Sequence, residues 1–550
     1  MTGALYWNGS QPPRADAAGV REALACLDQA RYLVRLPGSD AVGVAGGGSL
    51  GRDSGYELLA VSGPLPPTRI GAAAFRDAHS VRYAYQAGAM ANGIASEDMV
   101  IALARAGLLG TFGAAGLLPE RIEKAIDRFE TEIPGLPYAA NLIHNPMEQA
   151  LEQATVEVYL RRGVRCVEAS AYLDLTPHVV RYRLSGLRRD RTGRVTAGNR
   201  VIAKVSRAEV AEQFMRPAPE QLVSELRAAG LVTEEQAEAA RWVPMADDVT
   251  VEADSAGHTD RRPLTVSLPS LLRQRGAAMA SFGYRDPIRV GAAGGIGTPE
   301  AVAAAFAAGA DYVVTGSVNQ SCREAGTSAA VKAMLAGAGV ADCAMAPAAD
   351  MFEIGAELQV LRRGTMFAMR AAKLRELYRA YDGLDDLPAA ERAQLESQIL
   401  RRPVSQVWDE CVAYFSSRDP QQVTRAQDDP KRRMALVFRW YLGSSSHWAN
   451  AGDPDRTLDY QIWCGPAMGA FNDWVRGSHL AAPENRGAVE VAEQLLAGGA
   501  FHLRLAQLRA AGAEFAHPVA DYRPAPPKPQ ANPTSQEETC QSQQPLRMSQ

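Results

Sequence analysis

IRVGAAGGIGTPEAVAAAFAAGADYVVTGSV, residues 288–318, reads as an apolar strand, a glycine turn, a helix, a second apolar strand and a second glycine turn. Neither strand alternates polar with apolar residues, which is the mark of a parallel sheet covered on both faces. The first run ends in Gly294 and Gly295, and Thr298-Pro299 then open the helix; the second ends in Gly316 and Ser317. Glycine lets bare backbone N–H groups approach an anion, and a helix N-terminus adds a favourable dipole. In (β/α)₈ barrels the loops after strands seven and eight commonly form a phosphate site. Tight turns alone would explain one such glycine pair. Two consecutive strand ends with this chemistry point to phosphate.

Working outward, six earlier runs have the same texture: RYAYQAG (82–88), GLLGTFG (107–113), LPYAANL (136–142), GVRCVEAS (163–170), RVIAKVS (200–206) and DVTVEADS (248–255). Helical segments such as PERIEKAIDRFETE and MEQALEQATVEVYLRRG separate them. The reading is an α/β chain with a (β/α)₈ TIM barrel at residues 71–326; an open doubly wound sheet is the alternative. Residues 1–70 read as a small β-rich N-terminal domain that leaves through the PLPPT segment. Its Gly46, Gly48 and Gly51 spell GxGxxG, but no strand–helix context surrounds them, and a flexible loop is expected. Residues 327–516 read as a large helical region, and 517–550, Pro/Gln/Ser-rich from Pro524 onward, as a disordered tail.

Several side chains sit where barrels place chemistry, in or just past strand ends. His258 follows strand six after the small-residue turn Ser255-Ala256-Gly257, with Glu252, Asp254 and Asp260 nearby to orient an imidazole. His144 in NLIHNP is a weaker case of the same kind. Ala89 and Met90, after strand one, offer backbone amides without bulk. Asn141 and Lys204 are polar residues inside apolar strands; Lys204 either holds an anion or pairs with Glu168 or Glu252. Cys322 has no evident base and reads as structural. No HxH or HExxH spacing points to a metal.

Composition narrows the classes. With 58 basic and 62 acidic residues and no basic block, nothing suggests a nucleic-acid partner. Seven scattered cysteines, with no CxxC, fit a reducing cytoplasm, and the N-terminus lacks signal-peptide character. The apolar stretch 99–118 contains Arg105 and four glycines, so a helix, a turn and a buried strand are expected there rather than a membrane span.

The runs YQAGAMANGIASEDMV, NLIHNP, EADSAGHTDRRP, GAAGGIGTPEA, TGSVNQSCREAGTS and DYQIWCGPAMGAFNDWV together resemble the PfaD-type enoyl reductases. These are trans-acting flavoenzymes of polyunsaturated fatty acid and trans-acyltransferase polyketide synthases, and their barrel is similar to nitronate monooxygenase and FabK-type enzymes. The resemblance spans roughly residues 70–515. It implies FMN as cofactor, NADPH as electron donor and α,β-unsaturated acyl thioesters on acyl carrier protein domains as substrate, with a homodimer as the candidate assembly. It further implies that Gly294, Gly295, Gly316 and Ser317 hold the FMN phosphate. Ala89, Met90 and Gly257 would lie near the ring, Asn141 and Lys204 at its polar edge, and His258 would be the active-site histidine. The family motif carries two glycines before that histidine; here Ala256 replaces the first. The rival readings are a nitronate monooxygenase-type oxidase and a non-enzymatic synthase scaffold.

Overall fold

The computed structural model describes residues 4–145, 149–257 and 259–526. Eight parallel strands close into a barrel: β1 (Tyr85–Ala87), β2 (Leu109–Phe112), β3 (Ala139–Ile143), β4 (Cys166–Ser170), β5 (Arg200–Val205), β6 (Asp248–Glu252), β7 (Arg289–Ala293) and β8 (Tyr312–Thr315). Each lies inside or overlaps one of the eight apolar runs, and β8 pairs with β1 to complete the circle. The strands are short because only the buried waist of each run can pair; the glycine-rich ends turn outward at the mouth.

Helices α1 (Glu97–Arg105), α2 (Pro119–Glu132), α3 (Gln149–Arg162), α4 (Pro177–Ser185), α5 (Ala208–Met215), α6 (Leu264–Phe282) and α7 (Pro299–Ala307) follow the first seven strands. Ser96 caps α1 through the N–H of Met99, and Gly107 takes φ +75° before β2. The stretch 99–118 thus folds as helix, turn and strand. Among the described residues no helix is long and apolar enough to cross a membrane.

The eighth barrel helix is not next in sequence. Helix α8 (Ala488–Ala510) packs along α7 and reaches α1, which is the slot between the seventh and first helices. Gly498 and Gly499 allow the approach: a Cβ on Gly498 would lie 2.6 Å from the Pro299 ring, and one on Gly499 2.5 Å from Val302. The expected barrel boundary at residue 326 therefore omits the barrel's own last helix. Everything from 316 to 487 is an insertion between β8 and α8.

The insertion builds a second core, in which helices Phe367–Ala380, Val404–Arg418 and Pro430–Ala451 surround Phe367, Leu374, Val407, Phe438 and Tyr441. The region is mostly helical, as expected, and adds one antiparallel hairpin of Cys343–Pro347 with Glu357–Leu361.

The N-terminal module is a five-stranded sheet with one helix, Ala17–Ala25. Its edge strands, Val42–Gly46 and Ser49–Gly51, are separated by only Gly47 and Gly48, so the sheet curls back on itself. Of the GxGxxG glycines, Gly48 lies in this tight connection while Gly46 and Gly51 lie in the two strands, so the segment is a tight turn between strands rather than a flexible loop. Arg504 of α8, fully buried, anchors the module by donating to the carbonyls of Leu24, Cys26, Leu27, Gln29 and Gly63. Residues 517–526, which fall in the expected disordered tail, are ordered: Val519 is buried, and the Trp474 indole N–H donates to the Tyr522 carbonyl at 2.9 Å. The remainder of that tail, 527–550, lies outside the described residues.

At the N-terminal end of the barrel, Asp248 accepts from His79 at 2.9 Å and from Arg289 at 2.5 and 2.8 Å. Burial opposes its ionisation, but Arg289 and His79 outweigh that and hold its pKa well below the ordinary 3.8. Because the folded-state pKa is depressed, the stabilisation is complete above the unfolded value and is lost as pH falls toward the folded one. Asp248→Asn strands a buried guanidinium and should cost about 3–5 kcal/mol at neutral pH. Urea titrations should show the difference from wild type shrinking below about pH 4; an equal difference at both pH values would contradict the pairing.

Candidate functional site

The C-terminal ends of the strands open into a cavity of about 610 Å³ between the barrel mouth and the insertion, a size suited to a cofactor or drug-sized ligand. Ala89 and Met90 reach it from the end of β1, Asn141 from β3, Lys204 from β5 and Gly257 from the turn after β6; Gly294, Gly295, Gly316 and Ser317 line it after β7 and β8. The structure thus brings nine of the ten proposed site residues to one cavity. The tenth, His258, lies outside the described residues, although its neighbours Ser255, Ala256 and Gly257 line the wall.

The glycine turns differ in what they do. Gly294 has φ +82°, and a Cβ there would sit 2.7 Å from the Ala253 carbonyl carbon, so the chain crosses the end of β6 only as glycine. At Gly295 and Gly316 a Cβ would meet nothing within 4 Å. These two positions face open space, and bare backbone lines a concavity at two adjacent strand ends. Thr298 caps α7 by accepting from the N–H of Ala301, with Pro299 in the first turn. The residues present fit a phosphate.

On the opposite side a charged cluster reaches down into the barrel. Lys204 Nζ lies 3.6 Å from Glu168 Oε1 and 3.5 Å from Glu252 Oε1, so it pairs with both carboxylates that the sequence offered. Burial disfavours its charge, but Glu252 and Glu168 outweigh that and raise its pKa. Burial also raises the pKa of Glu168, only partly offset by Lys204. Asn141 donates to the Glu168 carbonyl at 3.0 Å and the Ser170 hydroxyl at 3.1 Å.

The acids near the strand-six turn have partners of their own. Ser255 donates to Glu252 at 3.1 Å, Gln359 to Asp254 at 2.7 Å, and Arg207 clasps Asp260 at 2.9 and 3.1 Å. Among the described residues no three His, Cys, Asp or Glu side chains are grouped to hold a metal. His144 pairs with buried Glu152 at 2.8 Å, and Tyr172 donates to the same carboxylate at 2.9 Å. Cys322 is fully buried, which pushes its thiol pKa up and suits a structural role.

Sequence reading missed the cavity's other wall. Tyr414, Trp440, His447 and Trp463 line it from the insertion. Aromatic residues in a helical region are more often core, as Tyr441 and Tyr460 are. The DYQIWCGPAMG run also returns to the barrel: the Gly465 N–H donates to Ser317 Oγ at 3.3 Å, and a Cβ on Gly297 would collide with the Ala467 carbonyl oxygen. The insertion is thereby fastened to the turns after β7 and β8.

A parallel barrel with open glycine turns lining a mouth cavity beneath an inserted lobe defines a class of ligand-binding (β/α)₈ proteins. Residues 73–381 match the family described as nitronate monooxygenase, and residues 381–460 match the inserted helical domain of [acyl-carrier-protein] S-malonyltransferase. The chain is 48% identical over 448 residues to a polyunsaturated fatty acid synthase subunit of Thraustochytrium sp., covering 80% of this chain and 30% of that protein. It is 45% identical over 428 residues to polyketide biosynthesis protein PksE of Bacillus subtilis, covering 78% and 55%. The crystal structure of the enoyl reductase domain of MlnA, from the macrolactin biosynthesis cluster of Bacillus amyloliquefaciens, matches with a TM-score of 0.77 at 38% identity, covering 81% of this chain and all of that one. The chain belongs to the nitronate monooxygenase family, in its PfaD-type enoyl reductase branch. It spans from under a third to about half the length of these two curated relatives.

Replacing Lys204 removes the cation from two carboxylates. A carboxyl whose folded pKa is raised stabilises the fold at low pH and loses that contribution as pH rises through the folded value. Lys204→Met should therefore lower the unfolding temperature most at neutral to mildly alkaline pH, and the deficit should narrow as the pH is lowered and Glu168 takes up a proton. A deficit independent of pH in calorimetry would contradict the cluster.

Proposed function

We propose that this chain is a trans-acting enoyl reductase that reduces α,β-unsaturated acyl thioesters on acyl carrier protein, using FMN and NADPH, in polyketide or polyunsaturated fatty acid biosynthesis. The observation that carries this reading is the convergence of open glycine turns, a charged cluster and a deep mouth cavity, in a chain 38% identical across a whole enoyl reductase domain. The chemistry that FMN supplies when bound is two-electron transfer from NADPH to the β-carbon of the enoyl thioester.

The chain's own residues bind, orient and supply protons. Backbone N–H groups at Gly295, Gly316 and Ser317 hold the phosphate, and Ala89 and Met90 form the platform for the ring. Lys204 and Asn141 would present polar groups to the ring's edge, and the positive charge of Lys204 would favour the more negative, reduced form. His258 would donate a hydrogen bond to the thioester carbonyl, where negative charge develops in enoyl reduction, or would orient the flavin. The α-carbon proton comes from His258 or from water. The aromatic wall of the insertion, Trp440 and Trp463 among it, shields the acyl group from solvent.

The purified protein should be yellow, or become so with FMN. NADPH should bleach it, and a crotonyl thioester should restore the colour without oxygen. His258→Ala should keep the colour and lose about 10²–10⁴-fold in the rate of thioester-dependent recovery, the range for a general acid or a charge-stabilising donor. A protein that stays colourless with FMN would refute the flavin reading. One that consumes oxygen with a nitroalkane and ignores NADPH would be a nitronate oxidase instead.

A further inference from the structure

Glu168 has no assigned task, yet it occupies the most enclosed position of the charged cluster. It stands in the middle of β4 with no exposure to solvent. Barrel interiors are ordinarily filled with layers of apolar side chains, and an ionised group there is costly unless several partners satisfy it. Glu168 has them. Oε2 accepts from Gln86 Nε2 at 2.5 Å, and Oε1 accepts from the backbone N–H of Ala89 at 3.3 Å and faces Lys204 at 3.6 Å. Gln86, itself fully buried on β1, is held by Thr111 at 2.9 Å. A Cβ placed on Gly88 would lie 3.7 Å from Glu168 Oε2 and 2.9 Å from Val314, so the carboxylate sits directly against the turn that leaves β1.

One carboxylate therefore touches the two features on which a flat ring would rest: the Gly88–Met90 turn, through Ala89, and the ammonium group that faces the cavity. We propose that Glu168 is a positioning residue that sets the Ala89–Met90 platform and fixes the place and field of Lys204, and so tunes the relative affinity of the site for reduced and oxidised flavin. This rests on the flavin reading above. Glu168 touches neither ring nor substrate; it acts through Ala89 and Lys204. The Lys204 ammonium is shared between Glu168 and Glu252, so loss of one carboxylate leaves more uncompensated positive charge beside the ring. The reduced ring, which carries the extra negative charge, would then gain.

The test uses the full chain and FMN itself. Glu168→Gln keeps the shape and an acceptor for the Ala89 N–H but removes the charge, so oxidised FMN should bind within about threefold of wild type. The ratio of reduced to oxidised affinity, read from the midpoint potential, should shift by about tenfold toward the reduced form. Glu168→Ala also removes the tether on Ala89, and oxidised FMN should bind at least about tenfold more weakly. A Glu168→Gln ratio within about threefold of wild type would overturn the proposal, whether or not the alanine variant folds. Failure of the wild-type protein to bind FMN would instead refute the flavin reading.

Discussion

Helix α8 lies in the slot between α7 and α1, and the rest of the molecule depends on that contact. Gly498 and Gly499 let it press against Pro299 and Val302, closing the ring of helices around the barrel. Because the strand it follows ends at Thr315 and the helix begins at Ala488, the intervening chain must leave and return at the mouth. Its second core is thereby held over the strand ends and supplies the cavity's outer wall. The same helix carries Arg504, whose donors satisfy five carbonyls of the N-terminal module. One helix thus ties together barrel, insertion and N-terminal sheet.

The two ends of the barrel use buried charge differently. At the N-terminal end, Asp248 pairs with Arg289 and is hydrogen-bonded to His79 behind the first residues of β6 and β7, where charge serves stability. Toward the mouth, Lys204 is shared between two carboxylates and faces a cavity. A lysine held this way retains its charge in a partly dry setting, where its field reaches further than it would in water.

The barrel strands were legible because each carries a short, mostly apolar run without strict alternation, separated from the next by a helical stretch. The positions that line the cavity were legible for the same reason: they lie in or just past those strands. The pairing of Lys204 with both Glu168 and Glu252 was legible only as a choice between them, since strand neighbours in a closed barrel depend on register that a sequence does not print. Helix α8 was hidden because residues 316–487 separate it from β8, and local periodicity says nothing about which helix fills a distant slot. The aromatic wall was hidden because Trp440 and Trp463 resemble the core aromatics around them. Residues 517–526 adjoin the Pro/Gln/Ser-rich stretch and fall in the expected tail with it, whereas contacts of Val519 and Tyr522 with the body of the protein order them.

The central claim is that the bare turns after β7 and β8 hold the phosphate of a flavin. Gly316 isolates it, because a methyl there meets no protein atom within 4 Å, although its φ of −130° and ψ of −77° lie outside the regions that residues with a Cβ favour. Calorimetric titration of FMN into wild type and Gly316→Ala is the direct measurement. The account predicts a folded variant, its unfolding temperature lowered only by local backbone strain, with an FMN affinity at least about tenfold weaker, the scale of one lost or displaced charge-assisted hydrogen bond. Equal affinity in the two proteins would contradict it.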